Sequence, residues 1–236
     1  MPRSGTRTLL FAGLAAALCW TAADVLLVGF VPEPQRHPWL AETLPFGADF
    51  AAMLQSAPPG RLFWGVPPAT FSLPLYLAAA FGVRRLMQPG RSADTAFILL
   101  FASYSLMPLA HAGFYYLGIA TQTLLSAPPD KRLIPVAQFL HFYRMLALHW
   151  ISAVGLLFSG WLLFGIQTLR SRTRLPKSAA LLTPVPVCLA VALLCGLFPQ
   201  SVFAASIGGA AFNLSQAVFF ATALLLIHIQ PKNPTP

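Results

Sequence analysis

The chain reads as an all-α integral membrane bundle of six helices, N-in and C-in, with short interfacial helical segments on the outer face. Three observations carry that reading. First, 57% of the 236 residues are hydrophobic and only 9% are charged, against roughly 25% charged in soluble domains, whose surfaces must be hydrated. Second, apolar runs recur at 8–31, 67–86, 95–120, 136–169, 179–198 and 203–229. Each reaches the ~20 residues that cross a hydrocarbon core about 30 Å thick. Third, the basic residues sort by alternate connection. Together they describe one polytopic domain over residues 1–236.

The first run begins MPRSGTRTLLFAGLAAALCW, a basic start and apolar middle that resemble a secretory signal. Hydrophobicity resumes after Asp24 and continues to Val31, which is membrane length, so a retained first helix is expected. The segment ADFAAMLQ (48–55) reads as a short interfacial helix ended by Pro58-Pro59, since proline drives its predecessor out of the helical region. The third run continues through GIATQTLLS before Pro128-Pro129. Ser-Ala-Pro-Pro followed by Arg-Leu therefore occurs twice, at 56–62 and 126–133, each time just before an apolar run. These stretches read as outer-face punctuation, with Arg61 and Arg132 held at the interface. The fourth run exceeds the bilayer and is expected to tilt or protrude.

Orientation follows from charge. Arg3, Arg7, Arg84, Arg85, Arg91, Arg170, Arg172, Arg174, Lys177 and Lys232 fall on one side. The alternate loops carry Arg36, Arg61, Lys131 and Arg132, offset by Glu33, Glu42, Asp49 and Asp130. The positive-inside tendency then puts both termini in the cytoplasm of a bacterial-type inner membrane. In a soluble protein the net charge of +9 would point to nucleic acid. Here it records orientation, and no DNA-binding module or phosphate loop is present in the sequence. Cys19, Cys188 and Cys195 lie inside apolar runs without metal-finger spacing, as small buried residues do.

A charge inside a membrane costs several kcal/mol, so each needs a partner or a purpose. Asp24 is the one acid well inside a span. His111 and Tyr115 lie one turn apart in the third span, His141, Arg144 and His149 in the fourth, and Asn213 and Gln216 share a face of the sixth. All are placed in the outer half of the bilayer, within roughly 15 Å of its surface. Asp24, His111 and His149 are the candidate catalytic groups. Tyr115, His141, Arg144, Asn213 and Gln216 are the candidate ligand-binding groups. Bland readings stand beside these: Asp24 paired with Arg144 to lock two helices, and Asn213 and Gln216 as helix-to-helix glue.

An Asp24, His111 and His149 metal set, or haem held by two of the histidines, finds no supporting motif. His141 and His149, eight residues apart, sit about 80° apart around a helix. No metal site is assigned and the cofactor stays open. Ser72, Ser103, Ser105 and Ser152 lack a nucleophile elbow. Three functional classes remain: an enzyme or binding protein for an apolar or amphipathic ligand, a transporter subunit, or a structural subunit. The partners expected are the bilayer, such a ligand, no nucleic acid, and in the transporter case a second copy of the chain. Pro74, Pro108, Pro184 and Pro186 are placed to bend helices around a pathway, although membrane helices tolerate proline.

Four features occur together: an apolar first helix with a buried Asp, RLFWGVPPATFSLPLYLAAAFGV entering the second helix, AHAGFYY in the third and FNLSQ in the last. This combination resembles a family of bacterial multi-pass proteins of uncharacterised function. The resemblance covers most of the chain and implies an architecture without supplying an activity.

Overall fold

The computed structural model describes residues 3–229, with side chains from Gly5 onward. The Arg3 side chain and Lys232, counted above among the basic residues, lie outside the described ones. Five described helices are long and apolar enough to cross a membrane: α1 (Arg3–Val28), α4 (Pro59–Leu86), α5 (Arg91–Ser126), α6 (Leu133–Leu169) and α9 (Ala211–Ile229). Between α1 and α4 the chain forms two short helices, α2 (Trp39–Thr43) and α3 (Ala48–Leu54). Before α9 come α7 (Pro184–Gly196) and α8 (Val202–Gly209). The all-α expectation holds; no strand forms among the described residues.

Two expected spans differ. The run 179–198 is divided: Lys177–Leu182 winds as a 3-10 turn, and only the 13 residues of α7 are α-helical. At 1.5 Å per residue α7 rises about 20 Å, short of the ~30 Å core. Thr183 is extended just before Pro184, because a residue preceding proline avoids the helical region, so the helix restarts late. The run 203–229 breaks at Ala210 into α8 and α9, after the poor helix formers Gly208-Gly209.

Around the bundle, α6 packs on α5, α5 on α4, α4 on α1, α1 on α9, and α9 on α7, while α6 meets α7 only slightly. Small residues permit the close approaches, as in lipid-embedded bundles generally. A Cβ on Gly13 would lie 2.6 Å from the Phe220 ring, and one on Gly65 would lie 2.5 Å from Leu27. The prolines inside α4 and α5 leave these helices continuous. Ser103 adds a hydrogen bond across α5 and α6, its Oγ donating to the Ala153 carbonyl at 2.7 Å.

At the basic end the two connections pair with each other. Gln88 N–H donates to Arg172 O at 2.9 Å and Arg174 N–H to Leu86 O at 2.8 Å. α6 stops in a Schellman turn: Ser171 N–H reaches Thr168 O, Arg172 N–H reaches Gln167 O, and Ser171 takes φ +56°. That left-handed conformation costs a non-glycine residue roughly 1–2 kcal/mol. Ser171→Gly is therefore expected to stabilise the protein by about 0.5–1 kcal/mol. In a detergent melt this reads as a rise of about 1–4 °C; a fall would refute the strained cap.

At the opposite end, the loop elements are tied down by polar side chains. Gln122 of α5 donates to the carbonyls of Leu54, Gln55 and Ala57 at 3.0–3.3 Å. Gln55 donates to Glu33 O at 2.6 Å. The two Ser-Ala-Pro-Pro stretches differ in local structure. Ser56 bridges Arg36 and Glu33 and α4 follows directly, whereas Ser126 bonds back to Thr123 O and a 3-10 turn, Pro129–Lys131, comes next. Arg61 is half-buried in the first turn of α4. Its guanidinium donates to Val25 O at 2.6 Å and Gly29 O at 3.0 Å and stacks on Phe30. Free carbonyls end every helix and carry partial negative charge, and a cation is the natural group to satisfy them. Arg132 likewise stacks on an aromatic ring, that of Trp39.

Candidate functional site

The buried apolar residues divide into two clusters. One runs from the basic end to Trp20 and Ala23 of α1, Met107 of α5 and Ala153 of α6. The other begins at Leu27, Ala110 and Leu146 and continues up to α3. Asp24 and His111 lie in the seam between them, and there the side chains of five helices make one polar network.

His111 Nε2 lies 3.0 Å from Asp24 Oδ1, and Asn213 Nδ2 donates to Asp24 Oδ2 at 2.7 Å. Asn213 Oδ1 accepts from the Tyr76 hydroxyl at 2.7 Å and from Gln216 Nε2 at 3.3 Å. Gln216 Oε1 accepts from the Tyr104 hydroxyl at 2.6 Å and from Trp161 Nε1 at 3.3 Å. Tyr76 and Tyr104 stack with centroids 4.4 Å apart, and Trp20 stands edge-on to both Tyr76 and His111.

Donor and acceptor counting fixes one proton. His111 Nδ1 lies 3.1 Å from Met107 O; a carbonyl only accepts, so Nδ1 carries hydrogen. The Nε2–Oδ1 contact then also needs a hydrogen between its atoms. The pair is either imidazolium with carboxylate or neutral imidazole with carboxylic acid, two arrangements of the same atoms. A unit that holds one proton in either of two places has the composition of a general acid or base. Asn213 must point its NH₂ at Asp24, because the reverse orientation would set two acceptors together.

Beside the pair lies a cavity of about 490 Å³. Asp24, His111 and Asn213 supply its polar wall, and Phe50, Phe114, Trp150, Phe198 and Phe212 supply aromatic surface. Phe50 and Met53 come from α3, which covers the cavity from the loop end. Ala192, Cys195 and Gly196 of α7 and Ala205 of α8 form the far side. Phe198, between α7 and α8, both lines the cavity and is exposed, so the cavity reaches the surface on that side. The Asp24 side chain keeps 13% of its surface exposed.

The sequence-derived candidates separate into two groups. Asp24, His111, Asn213 and Gln216 come together. Arg144 does not pair with Asp24; it is exposed on α6, 5.2 Å from the Phe46 ring. His149 bonds Met145 O of its own helix, and only its neighbour Trp150 lines the cavity. His141 is exposed. Tyr115 packs against Phe63 and Tyr116, away from the cavity. Three network members escaped the sequence reading, Tyr76, Tyr104 and Trp161, as did Trp20, which packs on the network through its ring alone. Their signal was available for the tyrosines, whose hydroxyls stand deep within apolar runs and need an acceptor there. Among the described residues no three metal-ligating side chains converge.

Residues 1–230 match the model of a family described as a family of unknown function, DUF6796, and the chain belongs to that family. Neither among curated proteins nor among solved structures does anything match.

Proposed function

We propose that this member of a family of unknown function binds an amphipathic small molecule drawn from the lipid phase. The cavity would hold its apolar body, and Asp24 would meet its polar head. The supporting observation is the cavity's composition: aromatic and aliphatic walls around one carboxylate that is still partly accessible. Each Asp24 oxygen is already engaged in one hydrogen bond, and each has a lone pair left for a ligand hydroxyl or ammonium. The proton shared with His111 adds the means for acid–base chemistry on that head.

The accompanying arrangement is six passes, with α7 as the short fifth, and both termini cytoplasmic in a bacterial inner membrane. It is supported by the basic residues at the α4–α5 and α6–α7 connections. A helix-locking role for the cluster is the second reading, favoured by how completely the network satisfies itself. Transport ranks below both, because the polar groups gather at one level of the bundle.

The test uses full-length protein in phosphatidylcholine nanodiscs with dodecylamine, dodecanol and dodecanoate as probes. The amine and the alcohol are expected to raise the melting temperature and the carboxylate to leave it unchanged, since dodecanoate would confront Asp24. Ala205→Phe, which fills the cavity without touching the network, is expected to abolish the shifts. Equal shifts for all three heads, or shifts that survive Ala205→Phe, would count against the reading. No shift from any probe would leave the helix-locking role.

A further inference from the structure

A second cavity, of about 390 Å³, lies at the basic end, between the two paired connections and far from the Asp24 site in the fold. It is lined by Gln88, Gly90, Arg91, Ser92, Gln167 and Arg172. We infer that this cavity is a binding site for a phosphate group.

Three independent features converge there. The first is charge. Arg91 and Arg172 are exposed cations, and neither has a carboxylate partner among the described residues. The nearby acid, Asp94, is held by Arg84 at 2.6 Å and does not line the cavity. The second is the start of α5, a 36-residue helix. Ala93 and Asp94 N–H groups return to Gly90 O, which leaves Arg91 and Ser92 N–H without backbone acceptors. Such free N–H groups, with the positive end of the helix dipole, suit an anion. Gly90 has φ +150°, a conformation that L side chains rarely adopt, and no neighbour crowds its Cα, so the backbone there is open to a close ligand.

The third feature separates a built site from a basic surface. Gln167 is only 4% exposed, yet its amide makes no hydrogen bond within the protein among the described residues, and it faces this cavity. Its amide opens onto the cavity, where a bound oxyanion can accept from its NH₂ group. Arginine's planar fork adds bidentate contacts to the phosphate oxygens. The phosphate belongs either to an anionic phospholipid headgroup or to a soluble phosphate compound, and the chemistry of recognition is the same.

The experiment has two arms on the full chain in neutral detergent. Native mass spectrometry measures retention of phosphatidylglycerol against phosphatidylcholine, and calorimetric titration measures inorganic phosphate. Arg172→Ala, at an exposed position, is expected to weaken binding about tenfold. Gln167→Leu, close in shape, is expected to weaken it several-fold with no loss of melting temperature. Arg170→Ala, an exposed arginine of the same connection outside the cavity, is expected to change it less than twofold. Retention of phosphatidylglycerol without phosphate binding assigns the headgroup, and phosphate binding assigns the soluble source. The inference fails if neither ligand binds. It fails equally if Arg170→Ala costs as much as Arg172→Ala, because diffuse surface charge then suffices, or if a folded Gln167→Leu protein binds as well as the parent.

Discussion

Replacing Asp24 by leucine is expected to lower the melting temperature of the purified protein by roughly 6–12 °C, while replacement by asparagine lowers it far less. Leucine leaves His111 Nε2–H and Asn213 Nδ2–H facing an apolar group. Removing one partner of a buried charged pair typically costs about 3–5 kcal/mol in water-soluble proteins. Neutral interhelical bonds in membranes are worth less, about 0.6 kcal/mol on average and up to ~1.7. A value near 3 kcal/mol lies between these limits, and a domain of this size loses about 2–4 °C per kcal/mol. Asparagine behaves differently for a reason the proton count supplies. Its oxygen can accept from Asn213 while its NH₂ donates to Nε2 of a neutral His111, which keeps its Nδ1 proton on Met107 O. Every group remains satisfied and only the charge and the mobile proton are gone. Asp24→Asn should therefore fold and melt nearly as the parent does, yet lose the amine and alcohol shifts. Equal destabilisation by both substitutions would show that the proton has been misplaced.

The second large effect is expected at Gln216. Leucine there strands the Tyr104 hydroxyl and Trp161 Nε1, both in the buried core, and removes one donor from Asn213. Three neutral bonds on the membrane scale come to about 2 kcal/mol, or a fall of roughly 4–8 °C. A double-mutant cycle makes the attribution specific. Tyr104→Phe alone removes a hydrogen bond and should destabilise. In the Gln216→Leu background it removes an orphaned donor instead, and should be neutral or restore part of the loss. The stacking of ring 104 on ring 76 survives in both. Strictly additive losses in the two backgrounds would rule out a functioning Tyr104–Gln216 bond.

Much of the architecture was legible from hydropathy, because an unbroken apolar run of adequate length has few alternatives to a helix in lipid. A shared level along the bundle was legible too, since it follows from counting residues, and Asp24, His111, Asn213 and Gln216 do meet at one level. Helix rotation was not. α6 is apolar on nearly all sides, so nothing in its sequence says that Arg144 and His141 turn outward, or that Asp24 faces α5 and α9. The tyrosines were hidden because an aromatic in an apolar run reads as ordinary packing until its hydroxyl is asked for an acceptor. The shortness of α7 was hidden in the uniform hydropathy of 179–198, although Pro184 and Pro186 marked where the backbone must restart.

That short helix has a consequence for the membrane. α7 rises about 20 Å, whereas the 36 residues of α5 rise about 54 Å, so the helices around the bundle differ in height. A bilayer meeting a short apolar wall thins there, at a cost of fractions of a kcal/mol per Å. In the six-pass arrangement proposed above, such a sector would lie against α7 and α8, on the side where the cavity reaches the surface at Phe198. Headgroups and water would then dip toward the seam on that flank. Molecules with one wet end and one oily end collect in such a dimple, which is where the ligand proposed for the cavity would enter.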